Sequence, residues 1–347
     1  MGKLKIACLF GGCSSEYSVS LVSATSVIRA IDKEKYDCFM IGITKDGNFY
    51  LYEGDIDKIE KDEWFNHKTC KKITWSTNRD DHGFIILDSK GFKVINIDLA
   101  FPILHGINGE DGRLQGIFEL AGIKYVGCDL ISSALGMNKF LAHELVRLNG
   151  ILVPKSYTFT NDIAYEEIIS SISDLGFPLF VKPLKAGSSL GISKVNNVSE
   201  LNNALTLAFN YDNSIIIEEN IDGFEVGCAV LGNENIITGE VDEIEISGGF
   251  FDYEKKYEAR DSKVYLPARI DSNERERIRQ TALKIYKVLG CKDLARVDMF
   301  YTKNKEIVFN EVNTMPGFTS HSRFPNMLKQ KNYTFEQIVE MLIELKR

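Results

Sequence analysis

The stretch EIVFNEVNTMPG, residues 306–317, constrains this chain more than any other. Its β-branched and aromatic residues predict an interior strand, stopped by the Met-Pro-Gly turn. A strand has a period of two, so Phe309, Glu311 and Asn313 are expected on one face and Val308, Asn310 and Val312 on the other. An acid and an amide on an interior strand are costly unless something pairs with them. A metal ion, a cationic ligand and a structural salt bridge are the candidates.

A neighbouring segment, ARVDMF (295–300), raises the same question. Arg296 and Asp298 share one face, opposite Val297 and Met299. If this strand pairs with 306–313, Asp298 sits across from Glu311 and Asn313. Two carboxylates and an amide oxygen form a hard-oxygen set suited to Mg²⁺ together with substrate phosphates. Arg296 beside them could neutralise developing negative charge. A salt bridge of Arg296 with Asp298 or Glu311 explains the residues equally well at this point.

The rest of the chain supplies a frame. Lys5 to Phe10 is a short apolar strand that ends in GGCSSE, and a helical pattern from Ser18 to Ile31 and a strand near Phe39–Ile43 follow. Strand, glycine turn, helix and strand open a doubly wound α/β domain. Lys58–His82 reads as a polar insertion with a hairpin near Asn78–Gly83. IDLAFPILHG is a buried strand that runs into the turn HGINGEDG, and the helix Leu114–Ala121 comes next. A domain boundary is expected near Gly127–Ser133, then a helix over 138–149 and strands FPLFVKP, ISKV and SIIIEEN. Residues 246–264 lack a period and read as a long loop with Gly248–Gly249 as a hinge. Asp271 and Glu274 resemble a capping box for a helix over 273–289, with Ile278, Ala282, Ile285 and Leu289 on its buried face. Thr334 and Gln337 start a last amphipathic helix.

Composition narrows the function. A net charge of −8 argues against a general nucleic-acid binder, and no apolar run approaches bilayer-spanning length. The seven cysteines form no C-x-x-C pair, which suits free thiols in a reducing cytoplasm. KPLKAGSSLG offers backbone N–H groups that can cradle phosphate, with Lys182 at the end of the preceding strand. It is not a P-loop, since G-x-x-x-x-G-K-[ST] is absent, and a plain hairpin tip explains it as well. GGCSSE lacks the dinucleotide spacing G-x-G-x-x-G. Glu16 could be a first-turn acid and His105 a satisfied loop histidine.

The order of these segments resembles the ATP-grasp D-alanine–D-alanine ligase family. GGCSSEYSVSL, HGINGEDGRLQG, VKPLKAGSSLG, FFDYEKKY, ARVDMF and NEVNTMPGFTSHS carry the likeness, from Gly11 to Ser322. IDGFEVGCAVLG, GIFELAGI and FNEVNTMPGFTSHSRFPNM look closest to vancomycin-resistance ligases of the D-alanine–D-serine kind, the G type.

The resemblance implies an α/β, partly α+β, fold: a Rossmann-like domain over 1–128 followed by a two-part ATP-grasp unit, 129–212 and 213–347, with a lid at 246–264. It implies a reaction through an acyl phosphate, with ATP as substrate and two Mg²⁺ (or Mn²⁺) held by Asp298, Glu311 and Asn313. Lys139, Lys182 and Lys256 would bind phosphates, Glu218, Glu219 and Ile221 adenine, and Glu225 the ribose. Glu16 would hold the first amino group with Ser188 and Tyr257 in support. Arg296 and the Gly317 N–H would stabilise the oxyanion, Ser322 would seat the second carboxylate, and His105, Glu110 and Arg323 would line the substrate pocket. A cytoplasmic homodimer that makes a peptidoglycan precursor from D-alanine and D-serine or D-alanine is implied too. Arg323 favours D-serine, because D-alanine-adding relatives carry Met-Tyr-Pro or Leu-x-Pro after the serine and D-serine-adding ones tend to carry arginine. Tyr257 is the residue of the alanine-adding ligases. A nicotinamide-dependent oxidoreductase and a magnesium-dependent nucleotide-binding regulator are the rival functions.

Overall fold

The apolar run LKIACLFG forms strand β1 (Leu4–Gly11), buried over its last six residues, and its glycine turn feeds helix α1 (Tyr17–Ala30). Strand β2 (Tyr36–Ile43) returns parallel to β1. β3 (Phe49–Tyr52), helix α2 (Asp57–Glu60), β4 (Lys71–Trp75), β5 (Gly83–Asp88), β6 (Gly91–Asn96) and β7 (Leu99–Pro102) complete a sheet of order β6-β5-β4-β3-β2-β1-β7. Only β2, β1 and β7 are parallel; the insertion extends the sheet as antiparallel strands, with the expected hairpin between β4 and β5. The computed structural model describes residues 2–65, 68–89, 91–187, 190–246 and 262–347, the side chains of Ile246 and Ser262 aside. Ser188, Lys256, Tyr257 and the Gly248–Gly249 hinge lie outside the described residues. Among those described, no helix is long and apolar enough to cross a membrane.

Helices α3 (Arg113–Ala121), α4 (Leu130–Met137) and α5 (Lys139–Leu148) lead out of the first sheet. Helix α4 was not foreseen and starts where a domain boundary was expected. Its polar Ser132 and Ser133 are buried with hydroxyls bonded to Asp129 and the Cys128 carbonyl, so polarity hides the helix. A second sheet follows from β8 (Ser156–Thr160), helix α6 (Tyr165–Ser171), β9 (Leu179–Pro183), β10 (Ser193–Val195), helix α7 (Val198–Phe209) and β11 (Ser214–Glu219), in the order β10-β9-β11-β8. β11 pairs with both β8 and β9, so the change of sheet falls after Glu219, not at 212/213. The run SIII alone does not say which sheet takes it.

The third sheet holds β12 (Gly223–Leu231), β13 (Ile237–Thr238), β14 (Asp242–Ile246), β15 (Ser262–Tyr265), β16 (Leu294–Thr302) and β17 (Ile307–Asn313), in the order β15-β14-β12-β16-β17 with β13 beside β12. The ends of the expected 246–264 loop are therefore paired strands, with Glu245 opposite Lys263. The helix Ser272–Val288 covers one face of this sheet, and Ile278, Ala282 and Ile285 pack on Val226, Val297 and Met299. Asp271 caps it by accepting from the Asn273 and Glu274 N–H groups, while Glu274 turns to Arg277 instead of closing the box. The box of Thr334 and Gln337 is complete. The terminal helices Arg323–Lys329 and Phe335–Glu344 return to the first sheet, where Phe324, Ile338 and Leu342 join Ile6, Leu21 and Val27 in one core.

Candidate active site

A cavity of about 530 Å³ lies between the second and third sheets. On β16 the predicted alternation holds: Arg296, Asp298 and Phe300 line the cavity, while Val297 and Met299 are core. On β17 it fails. Register shifts between Asp298 and Met299, so Glu311 faces Asp298, Phe309 faces Met299, and Asn310 is the extra residue of a bulge. Phe309 and Val312 both enter the core, and Asn310 and Glu311 both line the cavity. The expectation that Phe309 shares a face with Glu311, and Asn310 with Val312, is thus corrected by one inserted residue.

Charge is dense here. Arg296 donates to both oxygens of Asp298, from Nε at 2.8 and 3.1 Å and from Nη2 at 2.7 Å. The salt bridge foreseen as the bland explanation therefore exists, and Asn313 Nδ2 adds a bond to Asp298 at 2.9 Å. Arg323 grips Asp242 through Nε (2.7 Å) and Nη2 (2.8 Å), reaches Glu225 at 3.3 Å, and lies 3.5 Å from Asp298. Burial alone would lower the Arg323 pKa, but Asp242, Asp298 and Glu225 raise it well above its ordinary value. Gly227 makes room for the group, since a Cβ there would lie 2.4 Å from Arg323 Nη2 and 2.9 Å from Asp298 Oδ1. Asp242 and Gly227 are site residues that the motifs did not reveal. The acids interleaved in VDEIEI were the available signal for Asp242.

The opposite wall comes from α5 and the second sheet. Lys182 on β9 meets Glu218 on β11 at 2.5 Å, and Lys139 at the start of α5 donates to the Ala186 carbonyl at 2.7 Å. Burial would raise the Glu218 pKa, but Lys182, His143 and Lys139 together hold it below the ordinary glutamate range. Glu219 and Ile221 line the cavity beside Glu218, and Glu219 accepts from the Lys155 N–H. Two lysines and the backbone of the loop after β9 face the carboxylates of the third sheet. That combination suits a polyphosphate bridged by hard cations.

The loops of the first sheet meet the glycine loop after β9. Glu16 precedes α1, and its carboxylate lies where a Cβ on Gly106 would come within 2.5 Å and one on Gly187 within 3.2 Å. It therefore sits between HGINGEDG and the glycine loop after β9. Glu110 accepts the Gly106 N–H at 2.7 Å and the Met315 N–H at 2.9 Å. His105 bonds the Met315 carbonyl at 2.9 Å and Ser23 at 3.1 Å. His105 and Glu110 thus fasten the Met-Pro-Gly turn to the first sheet. Burial pushes the Glu110 carboxyl up to about 8, with help from Glu16 and against its two N–H donors. The turn brings Gly317 beside Ser322, since a Cβ on Gly317 would lie 3.3 Å from Ser322 Oγ, and the Gly317 N–H donates to nothing among the described residues. Ser322 accepts from Thr319 at 3.1 Å.

The donor set fits Mg²⁺ in company with a phosphate. Among the described residues no three His, Cys, Asp or Glu side chains converge into a cage of their own. Mg²⁺ does not need one, because one or two carboxylates and substrate phosphates satisfy it. The Glu311 carboxylate lines the cavity without a hydrogen bond or ion pair among the described residues. It stands directly across from Asp298, and Asn313 keeps its amide oxygen.

Residues 5–128 match the family described as D-ala D-ala ligase N-terminus, and residues 145–344 the one described as D-ala D-ala ligase C-terminus. The chain belongs to the D-alanine–D-alanine ligase family. A crystal structure of VanG D-Ala:D-Ser ligase from Enterococcus faecalis superposes with a TM-score of 0.93 at 53% identity, over 100% of both chains. The vancomycin B-type resistance protein VanB of Enterococcus faecalis is 43% identical over 350 residues, 99% of each chain. A D-alanine–D-alanine ligase of Acetivibrio thermocellus is 41% identical, over 99% of this chain and 96% of its own. Resistance-type and ordinary members of the ligase family are therefore both similar to this chain along its whole length.

Proposed function

We propose that this protein joins D-alanine to a second D-amino acid at the expense of ATP, with D-serine the favoured acceptor, and so makes a vancomycin-resistant peptidoglycan precursor as a cytoplasmic homodimer. The single observation that carries the ligase reading is the cavity that sets Lys139, Lys182 and Glu218 against Asp298, Glu311 and Asn313. A carboxylate oxygen of the first D-alanine attacks the γ-phosphorus, the bond to the β,γ-bridging oxygen breaks, and ADP leaves. The amine of the second substrate then attacks the acyl carbon, the bond to phosphate breaks, and the amine proton passes to solvent. Lys139 and Lys182 hold phosphate oxygens, while Glu218, Glu219 and Ile221 hold adenine and Glu225 the ribose. Asp298, Glu311 and Asn313 would hold the two Mg²⁺ (or Mn²⁺). Bound there, the metal neutralises charge on the phosphates.

Glu16 fixes the first ammonium, with Ser188 and Tyr257 in support, and Lys256 reaches the phosphates. Arg296 has Nε and Nη2 on Asp298, which orients the guanidinium so that Nη1 and the Gly317 N–H meet the oxyanion. Ser322 seats the acceptor carboxylate.

The D-serine preference draws on Arg323 and on the 53% identity to the VanG ligase. Asp242 holds the guanidinium on two bonds; in this reading Arg323 makes the acceptor wall polar where methionine would leave it apolar. A pocket that must hydrogen-bond a hydroxyl separates substrates far better than an apolar one. Competing D-serine and D-alanine at equal concentration with limiting ATP tests this. D-alanyl-D-serine is expected to dominate, and Arg323→Met is expected to shift the ratio toward D-alanyl-D-alanine. Dominant D-alanyl-D-alanine from the unaltered protein would make it an ordinary cell-wall ligase. ATP binding without D-alanine-dependent ADP release would sink the ligase reading itself.

A further inference from the structure

His143 belongs to no motif, yet it stands where the two walls of the cavity meet. It lies on α5 and is 1% exposed. Nε2 is 2.7 Å from the Asn310 carbonyl, which can only accept, so Nε2 carries the proton. Nδ1 faces Glu218 Oε1 at 3.6 Å, and both atoms are buried without a hydrogen-bond partner among the described residues. The ring meets Phe309 edge-on, with centroids 5.5 Å apart. The imidazole is therefore wedged between the acid of the nucleotide wall and the bulge of the metal wall.

We propose that His143 is a positioning residue that holds the Asn310 bulge in register and so keeps the Glu311 carboxylate aimed into the cavity. The inference rests on the metal-dependent reading above. Its physical basis is local. A bulge disrupts the ladder, and a backbone carbonyl it turns away from the partner strand needs another donor when buried. Nε2–H is that donor for Asn310. Loss of the bond frees the inserted residue, and a slip by one position exchanges the faces of Glu311 and Val312. Nδ1 is unprotonated and faces Glu218 without a bond, so the Nε2–H bond to Asn310 is what fixes the ring.

The test reads metal binding without turnover. Mn²⁺ is titrated into the full chain by electron paramagnetic resonance, with and without β,γ-imido-ATP. His143→Leu, which removes both nitrogens, is expected to weaken Mn²⁺ binding about tenfold or more, the usual cost of losing a group that orients a metal ligand. His143→Gln places an amide N–H near the Nε2 position and is expected to stay within about twofold. If His143→Leu does not fold, His143→Asn, too short to reach the Asn310 carbonyl, replaces it. Wild-type Mn²⁺ binding in a folded His143→Leu or His143→Asn protein overturns the proposal. So does a His143→Gln protein that loses as much as the others. An unaltered protein that binds Mn²⁺ but releases no ADP with D-alanine defeats the ligase reading and leaves the His143 comparison standing. One that binds no Mn²⁺ in either condition overturns both.

Discussion

The two walls of the cavity hold their charges by different means. On the third sheet each buried acid meets a guanidinium: Asp298 is gripped by Arg296, and Asp242 by Arg323, through two or more bonds each. On the second sheet the pairing is sparse. Lys182 holds one oxygen of Glu218, and the other faces His143 Nδ1 with no proton between them. Planar guanidinium forks fix geometry, whereas a lysine is a mobile point charge. The first wall is thus built to hold its shape before anything binds. The second can release its lysine to a phosphate and lean on His143.

The largest expected effect breaks the metal wall without touching its framework. Glu311→Ala removes a carboxylate that holds no other side chain among the described residues, so the fold survives. Turnover is expected to fall by orders of magnitude, because metal-assisted charge stabilisation is worth several kcal/mol. Near-normal ADP release from the folded variant would return Asp298, Glu311 and Asn313 to a purely structural role.

A second experiment compares the walls directly. Asp242→Ala takes two charge-assisted bonds from the half-buried Arg323, leaves it Glu225 at 3.3 Å and Asp298 at 3.5 Å, and is expected to cost about 2 kcal/mol in denaturant unfolding. Lys182→Met takes the one cation that bonds Glu218 but leaves His143 beside it. Burial keeps His143 below its ordinary pKa, assisted by Lys182 and Lys139 and opposed by Glu218. With Lys182 gone, the imidazole takes a proton more readily and faces Glu218 as a cation. The loss in Lys182→Met is therefore expected to be smaller than in Asp242→Ala, with the His143 proton NMR titration moved up. Equal losses and an unmoved titration would erase the distinction drawn between the walls.

What the sequence disclosed follows the same division. The alternation Arg296, Val297, Asp298, Met299 was legible because a period of two assigns each residue to a face. The caps at Asp271 and Thr334 were legible because capping is local. The bulge at Asn310 was not, because an inserted residue is defined by the partner strand and leaves no mark in its own composition. His143 was invisible for the same reason: Asn310 and Glu218 reach it from strands far along the chain. Arg323 stood out through the resemblance, but its partner Asp242 is 81 residues away. β11 was read as a strand and still assigned to the wrong sheet, since edge pairing is decided by the whole fold.

The smallest expected effect sharpens the comparison by adding the loops of the first sheet, where Glu110 is neither gripped by a guanidinium nor paired with a lysine among the described residues. It has two backbone N–H donors, which favour the anion, and burial beside Glu16, which outweighs them and lifts its pKa from 4.5 to about 8. Between those values the unfolded chain has lost the proton and the folded protein keeps it. The folded state then binds more protons, so stability from this group is complete below about 4.5 and falls as pH rises toward about 8. Each pH unit inside the window is worth at most about 1.4 kcal/mol, so raising pH from about 5.5 to about 7 costs at most about 2 kcal/mol. Glu110→Gln is neutral in both states and keeps an oxygen for one of the two N–H groups. Urea unfolding at the two pH values is expected to show a shallower decline in Glu110→Gln than in the unaltered protein. An unchanged slope would mean that the donors from Gly106 and Met315 hold Glu110 as the anion, and that this clamp, like the third-sheet wall, is charged at rest.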